Sequence, residues 1–88
     1  MVLPITKSAR RFGYIIWNRS KNPEVEKMLD GLTTVKVYLN GFYLGEKKID
    51  RKYYRISLGY KFTRALPEDA KFYVLKLEDK NKLKVECE

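Results

Sequence analysis

Cations and aromatic rings are the chemically active side chains of this sequence, while acid–base and metal-binding types are scarce. Nineteen Lys and Arg stand against eleven Asp and Glu, a formal net charge of +8, beside seven Tyr, four Phe and one Trp. Histidine is absent, which removes the commonest general base, the usual partner of a Ser or Cys nucleophile and the commonest metal ligand. Cys87 is the sole cysteine; it can close no intrachain disulfide and cannot hold a metal by itself, so it reads as an incidental terminal thiol. The acids, such as Glu24 with Glu26 or Glu68 with Asp69, fall in helix first turns or chain turns where capping accounts for them. The expectation is a non-enzymatic protein with no metal and no cofactor.

The positive charge is unevenly placed. From Lys7 to Arg64 fourteen Lys and Arg meet five Asp and Glu, a net of +9, whereas from Ala65 to Glu88 five meet six, a net of −1. Such a field attracts polyanions. An anionic membrane surface would call for a basic amphipathic helix with a strong apolar face, and no segment has that pattern. No apolar run nears the roughly 20 residues that span a bilayer, and the first charges follow the opening apolar residues rather than preceding them. Nucleic acid, duplex DNA before single strands, is therefore the expected partner, in a cytoplasmic (intracellular) protein with no membrane association.

The residues expected to contact it are Lys7, Arg10, Arg11, Arg19, Lys21, Lys52, Arg55, Lys61 and Arg64. Arg55 and Arg64 suit phosphate contacts or a bidentate contact to guanine. Lys7, Arg10 and Arg11 form a basic arm of the kind that tracks phosphates or enters a minor groove. Arg19 with Lys21, and the run Lys47, Lys48, Arg51 and Lys52, resemble phosphate-steering patches. Against each stands the plainer reading of solvated surface charge, and for the run from Lys47 to Lys52 a solvated linker between the two halves is the favoured reading. Trp17, Tyr14, Tyr53, Tyr54 and Tyr60 interleave with these cations, a mixture used for base stacking on single strands, but a small domain needs its rings for burial and core packing is the competing role.

The elements that must position these side chains are mainly strands. Eighty-eight residues fit a single domain spanning the whole chain, 1–88, and a chain this short buries only about 60 to 65 per cent of its unfolded surface. Met1 to Ser8 reads as an extended arm, part of a basic N-terminal arm over 1–11, because Pro4 forbids a regular helix there. Gly13 to Trp17 is a strand and Asn18 to Lys21 a polar loop. Asn22 reads as the N-cap, Pro23 as the first-turn proline and Glu24 as the first-turn acid of a two-turn helix from Pro23 to Leu29, on which Val25, Met28, Leu29 and Leu32 share a face. Val35, Val37 and Leu39 alternate with Lys36 and Tyr38 up to the hairpin signal Asn40-Gly41, and Gly45 marks a bulge or an early end to the return strand. A basic, aromatic strand is expected within Ile49 to Leu58, a short helical turn between Tyr60 and Leu66, and a second hairpin from Phe72 to Leu77 and from Lys82 to Val85.

Aligned, these elements repeat. A basic strand leads through a short helical piece to a hairpin in both halves, about 13–44 and 54–85, with Ile15 matching Ile56 and Leu39 matching Leu77. The fold class expected is mainly β (α+β), a small barrel of two pseudo-repeated strand, short helix and hairpin units.

In these residues the chain resembles the AbrB/MazE-like swapped-hairpin domains of bacterial and archaeal transcription factors and antitoxins. Their pattern is Gly-Arg, two β-branched residues, Ile-Pro, an acid, an apolar residue, Arg-Arg and Leu, then a hairpin. Tyr54 to Leu66 follows it without a gap: Arg55 falls on the family arginine, Ile56 and Leu58 on strand positions, Phe62 on the helix apolar position and Arg64 on the second helix arginine. Tyr54, Gly59, Lys61 and Thr63 depart from it, replacing the glycine, the proline, the acid and the first helix arginine. The first half keeps Gly13, Ile15 and Ile16 but has Tyr14 in the arginine position and an insertion around Arg19 to Pro23. The resemblance implies a DNA-binding transcriptional regulator or architectural factor, in which one chain supplies what the family builds from two, as a monomeric pseudo-dimer or a further homodimer. Two other readings remain open: a single-stranded nucleic-acid or RNA-binding module of OB or SH3-like type, with tyrosines exposed on one sheet face, and a protein-interaction module such as an antitoxin. The lack of glutamine and the abundance of Lys, Tyr and Ile match a bias of some thermophile proteins.

Overall fold

The computed structural model describes residues 1–59 and 66–88. Its elements are β1 (Val2–Pro4), α1 (Lys7–Phe12), β2 (Tyr14–Ile16), α2 (Pro23–Met28), β3 (Thr34–Leu39), β4 (Phe42–Asp50), β5 (Arg55–Ser57), β6 (Phe72–Glu78) and β7 (Lys82–Cys87). Over the described residues the protein is mainly β with two short helices, and a mainly β chain is what composition and periodicity imply.

The alternation of Val35, Val37 and Leu39 puts all three inside β3. Asn40 and Gly41 both take positive φ, 47° and 89°, the requirement of a type I′ hairpin turn whose twist matches its strands. The register shifts between Val37 and Tyr38, opposite Gly45, which adopts φ 109°. Gly45 is thus a bulge and not a strand end, and β4 continues to Asp50. The second hairpin, β6 with β7, turns through Asp79 and Lys80, again both at positive φ.

The seven strands form one sheet in the order β1-β6-β7-β3-β4-β5-β2. Every pairing is antiparallel except β3 with β7, where Val37 meets Leu83 and Leu39 meets Val85. The sheet rolls into a nearly closed barrel. Tyr73, fully buried on β6 near one end of the order, donates its hydroxyl to the Tyr14 carbonyl on β2 at the other end, at 3.1 Å. The interior is apolar, with Leu3, Ile15, Val35, Val37, Ile56, Leu75, Leu83 and Val85 enclosed. β2 and β5, the strands matched in the sequence repeat, pair antiparallel with Ile15 opposite Ile56. The hairpins join only through the parallel β3/β7 pair; β4 and β6 do not pair among the described residues.

Three local expectations are corrected. The N-terminal residues are not an extended arm. Val2–Pro4 pairs with β6, and since Leu75 N–H bonds Met1 and Ile5 N–H bonds Lys71, Pro4 lies where a strand turns its N away from its neighbour, so the missing N–H breaks no ladder bond. From Lys7 the chain is helical. Thr6 Oγ1 accepts from the Ala9 N–H at 3.1 Å, Gly13 closes the far end at φ 69°, and Ala9 is the one buried residue between. Second, Arg51 to Tyr54 is a turn and not strand, because Asp50 Oδ1 accepts from the Lys52 and Tyr53 N–H groups at 3.0 and 3.2 Å and Tyr54 takes φ 53°. Lys47 and Lys48 lie within β4, so the basic run there is not a linker. Third, Asn22 precedes α2 as expected but does not cap it; its Oδ1 accepts from the Asn18 N–H at 3.1 Å, tying the loop instead. The helical turn expected between Tyr60 and Leu66 falls on 60–65, outside the described residues.

Burial pushes the Tyr73 phenol well above its ordinary value, with Cys87 adding to the rise and Arg10 opposing it. The folded protein therefore holds this proton more tightly than the unfolded chain. The stabilisation is complete below pH about 10 and declines above it, by up to about 1.4 kcal/mol per pH unit while only the unfolded form ionises. In urea melts, Tyr73→Phe is expected to lose about 1 kcal/mol at pH 8 with its hydrogen bond, and then to fall off less steeply than the parent protein between pH 10 and 11. Parallel pH profiles for the two proteins would contradict this.

Candidate nucleic-acid interface

The β2/β5 ribbon has two unlike faces. Ile15 and Ile56 turn inward, which leaves Tyr14, Ile16, Arg55 and Ser57 outward by the strict alternation of strands. On that outer face the Arg55 guanidinium lies over the Tyr14 ring, 4.5 Å from its centroid, and over the Tyr53 ring at 4.7 Å. Tyr14 stacks on Phe12 at 5.7 Å. Arg11 lies over Phe12 and Lys52 over Tyr53, each at 5.3 Å. Arg11, Phe12, Tyr14, Arg55, Tyr53 and Lys52 thus form one continuous ladder of cations and rings, from the end of α1 to the turn after β4. Each such contact contributes about 0.5–1 kcal/mol at an exposed site. Phe12 and Tyr53 remain half exposed, at 50% and 54%.

Asp50 assembles one end of the ladder. Its Oδ1 builds the turn that presents Lys52 and Tyr53, while its Oδ2 stands 3.6 Å from Arg55 Nε. The loop carrying Arg19 and Lys21 leaves β2 at the same end, since the Trp17 N–H bonds the Tyr54 carbonyl at 3.1 Å. That loop is folded around Asn18, whose Oδ1 accepts from the Ser20 and Lys21 N–H groups.

The residues expected from sequence divide accordingly. Arg11, Lys52 and Arg55 are brought together in the ladder. Arg19 and Lys21 are exposed at its turn end, and Lys7 is exposed at the start of α1. Among the described residues, none of Lys7, Arg11, Arg19, Lys21 or Lys52 is in an ion pair. Arg10 is removed from the set. Its Nη1 donates to the Pro67 carbonyl at 3.1 Å and its Nη2 to the Ala70 carbonyl, so it ties α1 to the segment before β6. Arg51 likewise donates to the Leu32 and Leu29 carbonyls at 2.5 and 2.8 Å, satisfying the end of α2. Lys61 and Arg64 lie outside the described residues, as does Tyr60. Trp17 is buried, its Nε1 donating to Glu26 Oε1 at 2.8 Å, and Tyr54 packs against the core.

The second hairpin neutralises itself. Lys84 and Lys76 both pair with Glu78, at 2.9 and 3.4 Å, and Lys82 pairs with Asp79 at 3.5 Å. Hydrogen bonding to Lys84 holds the Glu78 carboxyl below its usual range, and the same contact raises Lys84. A groove of about 420 Å³ beside them is lined by Tyr38, Lys82, Lys84, Glu78, Asp79 and Glu86 among others, where cations and acids alternate. Cys87 is half-buried, and burial pushes its thiol up, away from the reactive thiolate. No helix among the described residues is long and apolar enough to cross a membrane.

Two participants escaped the sequence reading. Phe12 gave no signal, its place depending on the unexpected α1. Asp50 carried one, an Asp immediately before a basic, aromatic stretch that could equally have been strand. No protein-family model, curated protein or solved structure matches the chain.

The contrast between neighbouring arginines is directly measurable. Arg10→Ala removes the side-chain donor of the part-buried Ala70 carbonyl and leaves the Pro67 carbonyl with the Ala70 N–H alone, and is expected to lower unfolding stability by about 1–3 kcal/mol. Arg11→Ala, at a guanidinium that lies over Phe12 and is in no ion pair among the described residues, should stay within about 0.5 kcal/mol of the parent. Equal losses in denaturant melts would show that Arg10 has no special structural role.

Proposed function

We propose that this protein binds nucleic acid without acting on it chemically, and that duplex DNA is its ligand, as in a transcriptional regulator or architectural factor of AbrB/MazE-like kind. The observation that carries the reading is the ladder itself, together with Lys7, Arg19 and Lys21, exposed cations not in ion pairs with the described carboxylates. Such cations neutralise phosphates and release counterions, and an ordered guanidinium adds directional donors to a phosphate or a guanine edge. The family-like arrangement is supported by the antiparallel meeting of Ile15 and Ile56, the positions matched in the two half-repeats. The second reading, a single-stranded DNA or RNA ligand, is favoured by one feature: Phe12 and Tyr53 keep about half their surface open beside cations, the setting in which unpaired bases stack.

The test is a titration of random-sequence duplex, single-stranded DNA and RNA at 50 and 200 mM salt. With six or more phosphate contacts, affinity for the preferred ligand falls by on the order of a thousandfold between the two conditions. A flat salt response would remove the electrostatic basis of the proposal, and preference for either single strand over duplex would select the second reading. Arg55→Ala and Arg64→Ala are each expected to weaken duplex binding by about 1–3 kcal/mol with the thermal melt retained. Unaltered affinity in both would show that the family positions were misassigned.

A further inference from the structure

Arg10 and Arg51 direct their guanidinium donors to backbone carbonyls. Arg55 is held differently. It is confined by the Tyr14 and Tyr53 rings, and among the described residues its nearest acceptor, Asp50 Oδ2, stands 3.6 Å from Nε, beyond hydrogen-bond length for this pair. Its side chain keeps 32% of its surface open. A guanidinium whose orientation is fixed by rings and whose donors are unfilled is a preorganised fork for an anion with tetrahedral or planar oxygens. The two oxygens of Asp50 meanwhile have separate tasks: Oδ1 holds the turn through the Lys52 and Tyr53 N–H groups, and Oδ2 supplies the charge facing Arg55.

We infer that Arg55 is the subsite for one backbone phosphodiester, and that Asp50 is its built-in competitor, balancing the guanidinium in the free protein and giving way to phosphate on binding. This rests on the nucleic-acid reading above and adds a residue that tunes it. The loose, exposed contact between Asp50 and Arg55 is weak enough to be exchanged for a phosphate contact, whereas the turn made by Oδ1 is unaffected by the exchange. Lys52, presented by that turn, packs on the same Tyr53 ring as Arg55.

Asp50→Asn separates the two tasks, since the amide oxygen still accepts from the turn while the competing charge is gone. With a random-sequence 20-base-pair duplex at 50 mM salt, this variant is expected to bind roughly three- to tenfold more tightly than the parent, and its plot of log affinity against log salt to steepen by about one phosphate contact. Arg55→Lys, which keeps the charge and loses the planar fork, is expected to weaken binding about tenfold with or without the Asp50 change. A folded Asp50→Asn protein with unchanged or weaker affinity overturns the competitor role, and a neutral Arg55→Lys overturns the fork. A second measurement is independent of nucleic acid: diethyl phosphate titrated against the Arg55 Nε–H resonance should saturate at lower concentration in Asp50→Asn than in the parent. A resonance that moves equally in both overturns the competitor role, one that moves in neither overturns the subsite, and a responsive resonance in a protein that binds no duplex or single strand would leave the subsite standing and remove the function proposed above.

Discussion

Ile15 and Ile56 face each other inside the barrel, and the outer surface of the β2/β5 ribbon follows from that single register. Both side chains are fully enclosed, and burying each contributes on the order of 1.5–3 kcal/mol relative to leaving it in water. A slip of either strand by one residue would expose its isoleucine and bury a neighbour such as Tyr14 or Arg55 instead, at a cost far above any one surface contact. The hydrophobic pair therefore decides where the cations and rings stand. Tyr14 and Arg55 become diagonal neighbours on one face, Phe12 reaches Tyr14 from the end of α1, and Tyr53 closes on Arg55 from the turn. The ladder is a by-product of core packing whose chemistry happens to be cationic and aromatic.

Within that frame, the surroundings of each arginine decide what it can do. Arg10 and Arg51 lie beside carbonyls of irregular segments, after α2 and before β6, and a guanidinium bonded to them ties separate parts of the fold together. Arg55 lies on regular sheet, where the backbone groups are already paired, so it meets rings and one carboxylate. The same reasoning applies to the lysines. Those on β6 and β7 are matched by Glu78 and Asp79, which accounts for the near-neutral final third, while those around α1 and the loop before α2 have no acid within reach among the described residues.

How much of this was readable in the residues depends on the range of the interaction responsible. The Asn40-Gly41 turn, α2 and the second hairpin rest on neighbours a few positions apart, and local pattern was sufficient for each, whereas at Gly45 it left a bulge and a strand end open until the register with β3 decided between them. Helix α1 was missed because it is six residues long with only Ala9 buried, too short for a periodic signal, although Thr6 and Gly13 are ordinary caps. The turn from Arg51 to Tyr54 was missed because Tyr53, Tyr54 and Arg55 have strand-like composition, and only the side-chain acceptor of Asp50 overrides it. The removal of Arg10 from the candidate contacts depends on carbonyls at Pro67 and Ala70, distant in sequence, which no local pattern reveals. The interleaving of rings and cations was visible; that Tyr14 and Tyr53 would serve the surface while Trp17 served the core was not, since the choice is made by the inward alternation of β2 and by the reach of Trp17 to Glu26.

The position of the ladder at the margin of the sheet has its own physical consequence. An exposed strand edge invites pairing with another chain, and both margins here are blunted: β1 is three residues long and includes Pro4, and β2, equally short, has its Tyr14 carbonyl taken by the Tyr73 hydroxyl. Blunting the edge by a side chain from the opposite strand leaves the outer face of β2 untouched. Among the described residues β2 has a strand neighbour on one side only, and side chains standing on it are less hemmed in than those in the middle of the sheet. The bond that closes the barrel takes a backbone carbonyl of that strand and none of its outward side chains.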